Sequence, residues 1–414
     1  MKKIGNIYGN ICTLDNLRLA DKKAQRGKSK QYGVGIHKKN AEANLLSLQH
    51  LLLSKTYKTS PYTTFIVNEG KEREVFRLPY FPDRICHHAI MNVLEPIFKS
   101  VFTADTYSCI RGKGIHNAFY TIRRALTDEP GTRYCLKLDI KKFYPSINHD
   151  VLKALLRHKF KDNDLLYLLD EIIDSAPGLP IGNYLSQYLA NFYLCYFDHW
   201  LKEKKGVKYY FRYADDIVIL ADNKPYLHTL LADIRQYLTE NLKLEVKSNY
   251  QVFPVASRSL DFIGYKFYHT HTLVRKSIKQ NFARKLAKGA NPQTIASYNG
   301  WLTHADCINL YNELMRKFSD LNIIIENKSF TGEKIAIKKI LNKEISVVAY
   351  KIGGSKYTDK GTGKCLHLQI TLNGDKRVVF TGSSTLMQQI EKVPADAFPF
   401  TTKIIENEDR YEFT

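Results

Sequence analysis

The chain has 414 residues, 44% hydrophobic and 25% charged, which excludes a fibrous or disordered protein and leaves room for roughly two to four domains. Lys and Arg number 62 against 41 Asp and Glu, a net charge of +21 that favours a polyanionic partner. No run reaches the ~18–20 apolar residues of a membrane span. The opening MKKIGNIYGNICTLDN lacks the apolar core of a secretory signal, so a soluble cytoplasmic protein with no membrane partner is expected. Residues 331–414 carry only +3 of the charge, which puts the expected polyanion surface in the first 330 residues. The seven cysteines are scattered without a CxxC pair, and His87-His88 has no matching pair nearby, so neither a disulfide framework nor a zinc site is expected.

In chain order, residues 15–31 (DNLRLADKKAQRGKSKQ) are basic and polar, suiting either an RNA contact or a solvated helix face. Helical apolar spacing marks 41–53 and 84–101. Residues 65–80 read as a hairpin around Glu69-Gly70. CLKLDIKKFY (135–144) starts as an alternating strand, 149–174 reads as one helix, APGLPIG (176–182) interrupts, and 184–204 reads as another helix. KYYFRY (208–213) and IVILA (217–221) form two apolar arms around Asp215 and Asp216, and 225–241 returns to helix. RSLDFIGYKFY (258–268) reads as a strand, 275–324 as helix, and ENKSFTGEK (326–334) as a linker. Beyond it the pattern alternates, with the tight-turn signal Asn373-Gly374, so 335–414 reads as a small β-rich domain. The mixed order of the earlier elements argues for an α+β fold with an antiparallel sheet.

Two adjacent acids between apolar arms are costly to bury unless a cation neutralises them. Asp139 ends a neighbouring apolar strand. One acid on a strand and a pair on a hairpin can hold two Mg²⁺ ions, with carboxylates and substrate phosphates as ligands. Two metals about 4 Å apart activate an attacking hydroxyl and stabilise a leaving pyrophosphate, which is nucleotidyl transfer. Tyr144, five residues after Asp139, could lie beside the sugar of an incoming nucleotide and exclude a 2′-hydroxyl, or could, like Phe143, be core. Gly182 opens a helix where backbone could approach a nucleotide or template closely, followed by Ser186, Gln187 and Asn191 at helical spacing.

LDIKKFYPSI (138–147), LPIGNYLSQ (179–187) and FRYADDIVIL (211–220), in that order, resemble the palm motifs of reverse transcriptases. RSLDFIGYKF (258–267) resembles the primer grip, and TYSCIRGKGIHNA (106–118) and LPYFPDRICHHAI (78–90) resemble the fingers motifs. The resemblance covers roughly residues 35–320. IGNYLSQ, with Ile181 and Gln187, is similar to the reverse transcriptases of diversity-generating retroelements.

The resemblance implies a right-hand polymerase: a basic N-terminal segment (1–40), fingers and palm (41–268), a helical thumb (269–325) and the appended β-rich domain (335–414). It implies RNA-directed DNA synthesis with two Mg²⁺ ions, Mn²⁺ being a substitute, and errors at template adenines that diversify a target gene. Asp139, Asp215 and Asp216 would be the catalytic metal ligands and Tyr144 the sugar gate. Ile181, Gly182, Arg111, Lys71 and Arg73 would contact the nucleotide. Ser186, Gln187, Tyr213 and Gly264 would contact template or primer. Lys247 in LEVKSNYQV is the candidate acid for the pyrophosphate. The implied partners are template RNA, the RNA/cDNA duplex, dNTPs, and an accessory basic protein or structured non-coding RNA. The rival readings are a defence-associated bacterial enzyme with a dedicated non-coding RNA, and a maturase-like RNA-binding protein whose polymerase activity is incidental.

Overall fold

The computed structural model describes residues 3–68, 72–307, 330–355 and 363–414. They fall into two compact units, within Met1–Lys317 and Phe318–Thr414. No helix among them is long and apolar enough to cross a membrane.

The first unit opens with α1 (Tyr8–Cys12), α2 (Leu14–Ala24), α3 (Tyr32–Lys39) and α4 (Ala41–Leu53). Thr13 caps α2 by accepting from the Asn16 N–H. The basic stretch at 15–31 is thus largely a helix with one buried face, formed by Leu17, Ala20 and Ala24. The hairpin follows as β1 (Thr63–Asn68) and β2 (Glu72–Arg77), antiparallel in register. Next come α5 (Ile85–Val101), β3 (Thr106–Tyr107), α6 (Ile115–Leu126), β4 (Tyr134–Asp139) and α7 (Phe143–Ser146).

The single helix expected at 149–174 is two, α8 (His149–Lys159) and α9 (Asn163–Ile173). Its break is built: Phe160 bridges to Ile4, while the Asp162 carboxylate caps α9 and accepts from the Ile7 and Tyr8 N–H groups. The chain continues through α10 (Tyr184–His199), β5 (Tyr209–Tyr213), β6 (Asp216–Ala221), α11 (Lys224–Leu242) and β7 (Gln251–Pro254).

The central sheet has the order β3-β5-β6-β4-β7, antiparallel except for the β3–β5 pair. In β6, Ile217–Leu220 are all buried, as expected of a strand covered on both faces. Ile217 and Ile219 join a core with Leu189 and Phe192 of α10 and Leu231 of α11.

The single strand expected at 258–268 is a short hairpin, β8 (Leu260–Phe262) and β9 (Tyr265–Phe267). Ile263 and Gly264 at its turn both have positive φ. β10 (Thr272–Val274) pairs with β9, so the expected thumb segment begins as strand. α12 (Lys276–Ala287) and α13 (Pro292–Leu302) are helical as read, and residues 308–325 lie outside the described residues.

The second unit is a six-stranded sheet, order β11-β14-β13-β12-β15-β16. Its strands are β11 (Glu333–Ile335), β12 (Glu344–Gly354), β13 (Lys364–Leu372), β14 (Asp375–Thr381), β15 (Phe400–Asn407) and β16 (Arg410–Phe413), with α14 (Ser384–Ile390) between β14 and β15. Part of the expected linker is strand: β11 pairs in parallel with β14. Asn373 and Gly374 both take positive φ, joining β13 to β14 through the turn their sequence signals. Leu366, Leu368, Ile370 and Val379 pack with Leu386 and Ile390 of α14 in a core of their own.

Candidate active site

β4 and β6 run antiparallel, and their register sets Asp139 opposite Asp216. Directly opposed residues share a face, so both acids project from the same side at one end of the sheet. Asp215 lies in the preceding turn, where Ala214 has φ 54° and the Asp215 carbonyl accepts from the Ile140 N–H at 3.3 Å. The Asp139 carboxylate is near enough to Asp215 for its charge to act on that carboxyl. The sequence thus brings its three acids together through one β-ladder and one turn.

Burial pushes the Asp215 and Asp216 carboxyls up, Asp216 to about 7, and the neighbouring acids add to the rise in both. Two lysines oppose them. Lys247 Nζ donates to Asp139 Oδ1 at 2.6 Å, and its N–H donates to the Asp139 carbonyl. Lys137 Nζ lies 3.8 Å from Asp216 Oδ2.

Among the described residues no three acidic, His or Cys side chains converge on one metal-sized point. The donor set nevertheless fits a divalent cation in kind: three carboxylates at one sheet end, with Asp216 Oδ1 buried and without a hydrogen-bond partner there.

Beneath the turn lies an ion pair that the sequence reading did not single out. Arg212 and Asp198 are both fully buried. Arg212 Nε donates to Asp198 Oδ1 at 2.8 Å, and Nη1 donates to Asn191 Oδ1 and to the Ala214 carbonyl, both at 3.0 Å. Tyr210 and Thr106 donate their hydroxyls to Asp198 at 2.6 and 2.9 Å. Asn191 Nδ2 donates to the Ser108 carbonyl at 3.1 Å. One network thereby ties the acidic turn, α10 and the loop after β3. Its sequence signal is a single charge inside an apolar run, in YYFRY and again in NFYLCYFDHW.

Tyr144, on α7, is half-buried. Its hydroxyl is pushed up by burial, with Cys109 and Asp215 adding to the rise and the Arg212 and Arg73 charges opposing it. Arg73 is exposed on β2, and Lys71 lies outside the described residues. Arg111 is exposed in the turn after β3, whose Tyr107 pairs with Tyr213. Tyr213 also pairs with Asp216. Gln187 is half-buried, and Ser186 is buried within α10.

At two of the glycines the structure shows close packing within the chain. The close approach at Gly182 is to the chain itself: φ is 118°, and an added Cβ would lie 2.5 Å from the Phe76 carbonyl. Beside it the Phe76 N–H donates to the Ile181 carbonyl at 2.8 Å, so this turn seats β2. The space at Gly264 is filled by the Trp301 ring, 2.4 Å from where a Cβ would stand.

Residues 66–267 match the family model described as reverse transcriptase (RNA-dependent DNA polymerase). Residues 331–414 match a domain of unknown function, DUF8468. The chain is 25% identical over 293 residues to protein YkfC of Escherichia coli strain K12, covering 58% of this chain and 75% of that protein. It is 27% identical over 236 residues to the retron Ec73 reverse transcriptase of Escherichia coli, covering 49% and 74%. With the group II intron-encoded protein LtrA of Lactococcus lactis it shares 25% over 178 residues, 40% of this chain but only 29% of LtrA. A sheet whose register opposes two acids beside a third, in a segment matching that family model, identifies the region: the chain carries a reverse transcriptase domain, an RNA-dependent DNA polymerase module.

Proposed function

We propose that the whole protein copies an RNA template into cDNA by two-metal nucleotidyl transfer, with Asp139, Asp215 and Asp216 as the metal ligands. The observation that carries this is the opposition of Asp139 and Asp216 beside the buried Asp215. Divalent cations, when bound, activate the primer 3′-hydroxyl and offset the charge of the leaving pyrophosphate. The chain's own residues supply the rest. The three carboxylates bind, and the Arg212 network holds their turn through the Ala214 carbonyl. In this reading Tyr144 is the sugar gate, and Arg73, exposed on β2, is a phosphate contact. Lys247 holds a proton within 2.6 Å of Asp139, where it can meet the leaving group.

The finer reading is that this synthesis is error-prone at template adenines and serves sequence diversification. Ile181 supports it: an aliphatic side chain cannot donate hydrogen bonds to substrate, and less restraint on the substrate lowers discrimination between right and wrong pairs. A second reading is a defence enzyme with a dedicated non-coding RNA, to which a likeness to a bacterial reverse transcriptase, that of retron Ec73, is equally open.

Primer extension on an RNA template with Mg²⁺, beside Asp215→Ala, tests the activity. Extension lost in the variant is expected; equal extension by both proteins overturns the metal assignment. Sequencing the products of the wild type and Ile181→Gln tests the finer reading. Adenine errors that fall in the variant support it, whereas accurate copying by the wild type favours the defence enzyme.

A further inference from the structure

The sheet of the second unit has two unlike faces. One buries Leu366, Leu368, Ile370 and Val379 against α14. By strand alternation the residues between them face the other way. On that open face the register sets Lys351 beside His367 and His367 beside Phe380. Lys334 on β11 lies above the same ring, its Nζ 5.2 Å from the Phe380 centroid, and the His367 ring is 4.7 Å away on the neighbouring strand. These side chains and Phe330 line a hollow of about 220 Å³. Phe380 remains 42% exposed and Val348 on β12 40%, so the face keeps apolar surface toward solvent.

Lys334, Lys351 and Lys376 are exposed on or beside this row. The acids of β11 and β14, Glu333 and Asp375, are paired with Arg377. Glu406, Glu408, Asp409 and Glu412 lie on or between β15 and β16, at the opposite edge of the sheet, together with Lys403 and Arg410. An aromatic surface set among lysines suits a ligand with flat rings and a regularly charged backbone. Successive bases stack on such rings while lysines take the phosphates. Lys334 has a flexible stem, so its ammonium can leave the ring for a phosphate as a base takes its place.

We propose that the open face of the 330–414 sheet binds single-stranded nucleic acid, with Phe380 and His367 as the stacking platform and Lys334 and Lys351 as phosphate contacts. A duplex keeps its bases stacked inside and offers no ring to Phe380, so the site selects single strands. The proposal does not depend on the polymerase reading.

Ultraviolet cross-linking of the full chain to a 4-thiouridine oligoribonucleotide and to a 4-thiothymidine oligodeoxyribonucleotide, with peptide mapping by mass spectrometry, tests it. The expected result is a cross-linked peptide from β13 or β14 that a blunt duplex does not compete away. Its yield should fall about tenfold in Phe380→Ala, the scale of one base stacked on one ring. Lys334→Gln with Lys351→Gln should flatten the salt dependence of that cross-link, by about 0.7 in log–log slope for each phosphate no longer neutralised. The RNA and DNA arms tell a template-like strand from a product-like one. Cross-links confined to residues 3–307 overturn the proposal and leave the face to a protein partner. A β13–β14 cross-link indifferent to all three substitutions, or competed equally by duplex, overturns it too. Cross-links within 66–267 are the internal standard; their absence counts against the polymerase reading alone.

Discussion

Asp216 is the residue where stability and chemistry pull apart. Its Oδ1 is buried without a partner among the described residues, and burial works against its charged form. A group held that way is costly to the fold and persists for what it binds. Asp216→Asn removes the charge and keeps the shape. Stability should rise by about 1–2 kcal/mol, read as a higher urea midpoint. Primer extension should fall about a thousandfold, or ~4 kcal/mol of transition-state stabilisation. A variant that lost activity and stability together would contradict this account. Asp139, Asp215 and Asp216 were legible in the sequence because acids are expensive in apolar surroundings. Gly182 was legible only as a point of close approach, since a sequence shows that backbone must pass near something but not what. The partner is Phe76 of the same chain, over a hundred positions earlier.

At the scale of elements, the buried Arg212–Asp198 pair connects β5 to α10 and holds the Ala214 carbonyl. Removing one partner leaves an unpaired buried charge, so Arg212→Met should cost about 3–5 kcal/mol. Adding Asp198→Leu should recover part of that cost, because a pair replaced by apolar groups leaves no lone charge. Extension by the double variant should stay low, since the acidic turn is left without its donor; urea melts and single-turnover rates separate the two effects. Helix α5 carries a second buried device. Burial pushes His87 and His88 down to about 4; Asp83 opposes this at His87, and the Arg84 charge adds to it at both. Both are neutral when folded but gain a proton near pH 6.5 when unfolded, so the unfolded chain binds more protons between those values. The histidines' contribution to stability is therefore full above pH ~6.5 and is lost as pH drops toward 4, by on the order of 3 kcal/mol for each, while the raised Asp215 and Asp216 carboxyls contribute a slope of opposite sign over the same range. His87→Leu should remove one histidine's share, so the variant should lose less stability than the wild type between pH ~6.5 and ~4, as followed by thermal melts across the range. Element boundaries were legible where periodicity was strong, as at 41–53 and 84–101. They were not where tertiary contacts decide, as at Phe160–Asp162, where the N-terminal segment imposes a break that helix spacing conceals.

At the scale of the molecule, one hydrophobic core of the described residues lies within residues 11–244 and another, sharing no residue with it, within 340–404. Separate cores predict separate cooperative transitions. Leu368 is fully buried in the second, and Leu368→Ala should cost about 2–5 kcal/mol there. Calorimetry should show one transition moving down while the other stays in place. A single merged transition that shifts as a whole would contradict it. The excess charge of +18 in the first 330 residues and the near balance beyond were visible from counting alone. Counting could not show that Lys334, Lys351 and Lys376 come to flank one aromatic row of its sheet, because that depends on strand order and register.

The rung that opposes Asp139 to Asp216 also limits how this chain can change length in descent. One residue gained or lost within β4 would turn Asp139 to the far face of the sheet. Two residues would restore the face but carry the acid a further ~6.6 Å along the ladder, away from its partner. Lineages carrying this domain should therefore vary freely in the lengths of their outer loops and keep the count from Tyr134 to Asp139, and from Tyr213 to Asp216, fixed.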